Sequence, residues 1–167
     1  MKKWMIAGLC AVVLLLAVFL FLIFRGYPCA LLDGIKLESP RFVVQWKMGE
    51  PERESAFPEG AQRYLTYTGD YEGVPVEITF TFLETTFGDK LFGLSIRSTQ
   101  PLSGNAVTTV LEGTKDKIRG EYGAQDGYYE TSSADTFCMG INEGATGIDF
   151  TLEREAHGFV IRCQRIA

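Results

Sequence analysis

Across residues 74–83 apolar and polar positions alternate: Val74, Val76, Ile78, Phe80 and Phe82 against Pro75, Glu77, Thr79, Thr81 and Leu83. A period of two sends successive side chains to opposite faces, so the segment predicts a strand with one buried and one largely polar face. Upstream, 63–69 is rich in Tyr and Thr and predicts a partner strand, with Asp70-Tyr71-Glu72-Gly73 as the connecting turn. Downstream, Gly88-Asp89-Lys90 closes a turn and 91–98 predicts a third strand. In that strand Phe92, Leu94 and Ile96 are expected inward, and Gly93, Ser95 and Arg97 outward. Residues 50–62 are polar, contain Pro51, Pro58 and Gly60, and read as a loop.

Two segments carry helical spacing. In 40–48, Ser39 is expected as N-cap and Pro40 as the first helical residue, with Phe42, Val43 and Trp46 on one apolar stripe. Gly49 and Pro51 then supply the stop. In 106–122 the stripe is Val107, Val110, Leu111, Thr114, Ile118 and Tyr122. Gly113 and Gly120 weaken this helix by about 1 kcal/mol each relative to Ala. The remainder predicts strands at 127–133, 136–142, 145–153 and 159–166, with His157-Gly158 as a turn.

The expected class is therefore α+β: an antiparallel sheet built from two helix-plus-meander halves, 39–98 and 105–167, with the helices on one face. An N-terminal transmembrane helix precedes it. From Trp4 to Phe24 no residue is charged, Lys2 and Lys3 lie before the run, and Arg25 follows. Such a helix is about 30 Å long, the thickness of a hydrocarbon core. The run is longer than a signal-peptide core, and Arg25-Gly26-Tyr27-Pro28-Cys29-Ala30 is a poor cleavage site, which favours an uncleaved signal anchor over a secreted, cleaved form. The lysine bias places the N-terminus in the cytoplasm and the remainder outside, in a single pass. This divides the chain into an anchor at 1–25, which meets the lipid bilayer through residues 4–24, a tether at 26–38 and an extracytoplasmic domain at 39–167.

Composition then narrows the function. The 167 residues carry 16 Lys and Arg against 21 Asp and Glu, a net charge of −5. Lys2, Lys3 and Arg25 belong to the anchor and its edge, so the rest is more acidic still. This gives no electrostatic footprint for nucleic acid. The single His157 has no evident nucleophile beside it, and the scattered cysteines do not make a zinc set. No phosphate loop or Gly-x-Ser-x-Gly elbow occurs. No catalytic residue, cofactor or metal ligand is therefore expected. Asp149 and Glu153 share one side of a strand, and a small envelope hydrolase using them is the alternative reading. Four residues of strand separate them by about 13 Å, long for a carboxylate pair.

Strand parity sets Cys138 outward and Cys163 inward, which argues against a bond between those two. Cys10 lies in the apolar run, and the partner of Cys29 stays open.

Ser39-Pro40 and Gly49-Glu50-Pro51, together with the order of elements, resemble the opening of SmpA/OmlA-type β-barrel assembly lipoproteins and β-lactamase-inhibitor-protein-like envelope modules. The resemblance covers 35–98, and by element order again 105–166. The lipid-attachment cysteine of those lipoproteins is missing. What the resemblance implies is an extracytoplasmic, non-enzymatic module that binds an envelope protein.

Any such partner is expected on the wet face of the sheet. Its outward set is Glu77, Thr79, Thr81, Ser95, Arg97, Asp149, Thr151, Glu153 and Arg162. Tyr71, Tyr128 and Tyr129 are expected as aromatic anchors, and Arg is enriched at interfaces.

Overall fold

The structure, a computed structural model, describes residues 8, 10, 12–17, 26–57, 61–86, 88–142, 144 and 146–166. The expected span at 4–24 lies largely outside them; residues 8, 10 and 12–17 are helical. Among the described residues no helix is long and apolar enough to cross a membrane.

Two helices and eight strands follow. They are α1 (Arg41–Met48), β1 (Arg53–Ala56), β2 (Gln62–Tyr71), β3 (Val74–Thr85), β4 (Gly88–Ser98), α2 (Gly104–Tyr122), β5 (Tyr128–Ser132), β6 (Thr136–Asn142), β7 (Gly147–Glu155) and β8 (Gly158–Ile166). The strands form one sheet in the order β1-β2-β3-β4-β8-β7-β6-β5. Every pairing is antiparallel. Each half is thus a helix followed by a four-strand meander, and the two meanders join through their last strands, β4 and β8. The α+β class and the repeated element order agree with the alternation in the chain.

Strand β2 shows that both helices occupy one face of the sheet. Tyr67 donates to the Gly49 carbonyl at the end of α1 (3.4 Å), while Tyr71, of the same parity, meets Thr114 of α2 at 3.1 Å. The six α2 residues expected inward are the six that are buried. Ser103 caps that helix by accepting from the Ala106 N–H at 3.3 Å. Gly113 and Gly120 have open space where a Cβ would stand.

The differences from expectation have local causes. Tyr71 is not in the turn. Glu72 and Gly73 both take positive φ (54° and 76°), so a two-residue hairpin connects the strands and β2 runs on through Tyr71, paired with Val74. On α1 the inward residue is Val44, whereas Phe42 and Trp46 are exposed. At 100° per residue those two aromatics lie together, about 160° around the helix from Val44. Val44 shares the core with residues of 26–38. That segment is no free tether, because Cys29, Leu31, Ile35 and Leu37 are all buried in the core. Ser39 does not cap α1. Pro40 is the N-cap residue, without a side-chain cap, and the Ser39 carbonyl instead accepts from the Leu91 N–H at 2.9 Å. Phe92 is only half-buried. The register slips from Thr81↔Gly93 to Phe82↔Leu91, which leaves Phe92 as an extra residue at a bulge and gives Leu91 the inward place. The expected loop at 50–62 contains the edge strand β1, whose four residues are all exposed.

An ion pair fastens α2 to the edge strand β5. Arg119 Nε and a terminal nitrogen donate to the two oxygens of Glu130 at 2.7 and 2.9 Å, and the Tyr128 hydroxyl donates to the same carboxylate. The Arg119 bonds, then the Tyr128 bond, hold the Glu130 carboxyl at about 2. A depressed carboxylate pKa contributes stability that is complete above the unfolded value of about 4.3 and is lost as pH falls towards 2. The pair is partly exposed, so water screens it to about 0.5–1 kcal/mol. Glu130→Gln should therefore lower the melting temperature slightly at pH 7. It should also flatten the fall in stability between about pH 4.3 and 2, as thermal melts across that range would show.

Candidate functional site

The sheet face opposite the helices is arranged in lateral rows that can be read from the register. One row crosses all eight strands: Arg53, Thr66, Thr79, Ser95, Arg162, Thr151, Cys138 and Thr131. At about 4.8 Å per strand it is roughly 34 Å long. The row on one side is Ser55, Tyr64, Thr81, Gly93, Gln164, Asp149, Gly140 and Tyr129. On the other side run Thr68, Glu77, Arg97, Val160, Glu153 and Thr136. The middle row is rich in hydroxyls; the outer rows carry most of the acidic groups.

The charged groups of this face bind one another in diagonal pairs. Arg53 reaches Glu77 at 3.3 Å, Arg97 reaches Glu155 at 2.6 Å, and Arg162 reaches Glu153 at 2.6 Å. Thr66 and Thr79 share a hydrogen bond at 3.4 Å. Tyr129 lies opposite Gly140 and donates to Asp149 Oδ1 at 2.6 Å, so its side chain crosses the glycine to reach the strand beyond. Burial, and then the bond to Asp149, push the Tyr129 phenol above its usual pKa, so it stays a donor at neutral pH.

Of the residues expected to form the site, Glu77, Thr79, Arg97, Tyr129, Asp149 and Arg162 share this face. Two do not. Tyr71 is 4% exposed and points towards α2, where burial pushes its phenol to about 12. Tyr128 is paired with Ile141 on the helix side, packs against the core and donates to Glu130. Adjacent strand residues point to opposite faces, so Tyr128 and Tyr129 could not both serve one surface.

The structure also exposes an aromatic pair that the sequence reading turned inward. Trp46 is 85% exposed and Phe42 58%, one helical turn apart on α1. The signal was present as a second, shorter apolar stripe, Val44 with Met48, competing for the inward side of an eight-residue helix.

Asp149 and Glu153 are each engaged, by Tyr129 and Arg162 respectively. Three clefts among the described residues are lined by neither carboxylate. One of about 260 Å³ is lined by Glu38, Leu83, Leu91 and Arg165, and another of about 510 Å³ lies between the 28–36 loop and α2. A third, of about 260 Å³, borders α2 and the 132–137 turn. Among the described residues no cluster of three or more His, Cys, Asp or Glu is placed to hold a metal ion. Comparison of the chain with protein-family profiles, with curated protein sequences and with solved structures finds no match to any of them.

Proposed function

We propose that this protein is a non-catalytic, membrane-tethered module that presents the open face of its sheet to a protein partner outside the cytoplasmic membrane. The observation that carries the reading is that face itself, three rows deep, with two rows crossing eight strands and the third crossing six. Together they span roughly 600 Å², close to the ~800 Å² that one partner contributes to a standard interface. Arg53, Arg97 and Arg162 on it are already ion-paired, so a partner meets them with less further loss of side-chain freedom. The helix-then-meander order of both halves supports the same reading. The tether to the bilayer is supported by residues 12–16, a helical run of Val and Leu whose side chains are all exposed. Apolar side chains on every side of a helix are at home in lipid.

The test is differential capture from an envelope extract with the full chain as bait. Arg97→Ala combined with Arg162→Ala should reduce capture of a specific protein by about tenfold or more, equivalent to about 1.4 kcal/mol, while leaving the thermal melt nearly unchanged. Trp46→Ser on the helix side should leave that capture intact. Retention of every captured protein by the arginine variant would overturn the reading.

A further inference from the structure

We propose that Cys29 and Cys163 form an intramolecular disulfide that staples the segment after the apolar run to the central strand β8. The two residues are 134 positions apart in the chain, yet both are free thiols buried in one core, where they act on each other directly. Both are buried in the single core, Cys29 at 5% and Cys163 at 1% exposure.

Each thiol is held in place by its own framework. Cys29 sits in a tight loop in which its N–H donates to the Ile35 carbonyl at 3.2 Å and its carbonyl accepts from the Leu32 N–H at 3.3 Å. The base of the loop is closed by the Pro28↔Lys36 bridge and by the Leu37 N–H donating to the Tyr27 carbonyl at 2.9 Å. Cys163 lies mid-sheet, between Leu94 of β4 and Phe150 of β7, on the helix side. Tyr122, at the end of α2, donates its hydroxyl to the Pro28 carbonyl and packs its ring 5.5 Å from that of Phe150, the cross-strand neighbour of Cys163, which holds the loop over the strand. The competing cysteine is on the wrong side of the sheet: Cys138 shares the open face with Thr151.

The chemistry needs an oxidant, and a small-molecule disulfide such as glutathione disulfide suffices. The Cys29 thiolate attacks one glutathione sulfur, breaking that S–S bond and releasing one glutathione thiolate. The Cys163 thiolate then attacks the Cys29 sulfur of the mixed disulfide and expels the second. Two thiol protons go to solvent, and two electrons pass from the cysteines to glutathione. The roles follow from the surroundings. A hydrogen bond from the Cys163 thiol lowers the Cys29 pKa, while burial pushes the Cys163 thiol up. The bond closes a ring through nearly the whole domain, so the sheet is fixed to the point where the chain meets the apolar run.

The inference is independent of the binding face and of the compartment, because it can be tested on purified full-length chain in detergent. Reduced, denatured protein is refolded in a glutathione and glutathione-disulfide buffer, alkylated and mapped without reduction. The expected product is two hydrogens lighter, contains one peptide pair joined Cys29 to Cys163, and melts about 10 °C above its reduced form. Cys138→Ser should keep that pair; Cys29→Ala should remove it. Quantitative alkylation of both Cys29 and Cys163 in the refolded wild type, or a cross-link that includes Cys138, would overturn the proposal.

Discussion

Phe80→Ala should destabilise the fold by about 3–5 kcal/mol, measured as a shift of the denaturation midpoint at constant slope. Phe80 is fully buried at the middle of β3 and faces the helices. Its ring meets Tyr67 edge-on, with centroids 5.6 Å apart, and its backbone is paired with Leu65 on one side and Leu94 on the other. Truncation removes the burial of a large ring and leaves a hole whose walls, strands locked in register, cannot close around it. Thr79→Ala is the matched control. Thr79 is one position away on the open face, half-exposed, and gives up only a long 3.4 Å hydrogen bond to Thr66. Its cost should stay near 0.5 kcal/mol. Equal costs would mean that the two faces of β3 are not distinguished as the structure has them.

The same alternation that marks Phe80 made much of the sheet legible. In β3, and in α2 with its run from Val107 to Tyr122, a single periodic pattern dominates and no rival pattern fits. Where the sequence misled, two local solutions had similar merit and distant residues decided between them. The α1 stripe is one such case. Phe42, Val43 and Trp46 form as good a stripe as Val44 and Met48, and the choice falls to the tertiary core, which takes in Val44 together with Leu31, Ile35 and Leu37. Tyr71 is another: a four-residue turn and a two-residue turn both fit Asp70-Tyr71-Glu72-Gly73, and the wider pairing of β2 with β3 selects the shorter. β1 has no apolar pattern, because it is an exposed edge held by its backbone pairing with β2 and by Arg41–Glu54 and Arg53–Glu77. For the open face, the parity of each strand was readable, but the diagonal ion pairs were not. Arg162 meets Glu153, and Arg97 meets Glu155, only once β4, β8 and β7 are neighbours in this register.

Gly140→Val tests the other side of the sheet and should destabilise by about 3 kcal/mol or more, the upper end for overpacking in a well-packed structure. Gly140 is buried although it lies on the open face, because the Tyr129 side chain spans it on the way to Asp149. A Cβ at this position would overlap the Ile148 carbonyl oxygen on β7, a backbone atom that cannot rotate away. Relief would require β6 and β7 to part, breaking ladder hydrogen bonds near the sheet edge, and would also lift Tyr129 off its acceptor. Valine's high strand propensity acts in the opposite sense but spans only about 1 kcal/mol, too little to offset the clash. Tyr129→Phe separates the two contributions. It removes the hydroxyl while leaving the ring over the glycine, and should cost about 1 kcal/mol. Amide exchange would localise the damage: in the valine variant, protection should fall along β5, β6 and β7, while β2 and β3 keep theirs. A valine variant as stable as the parent would mean that β6 and β7 are not packed as closely as this structure places them.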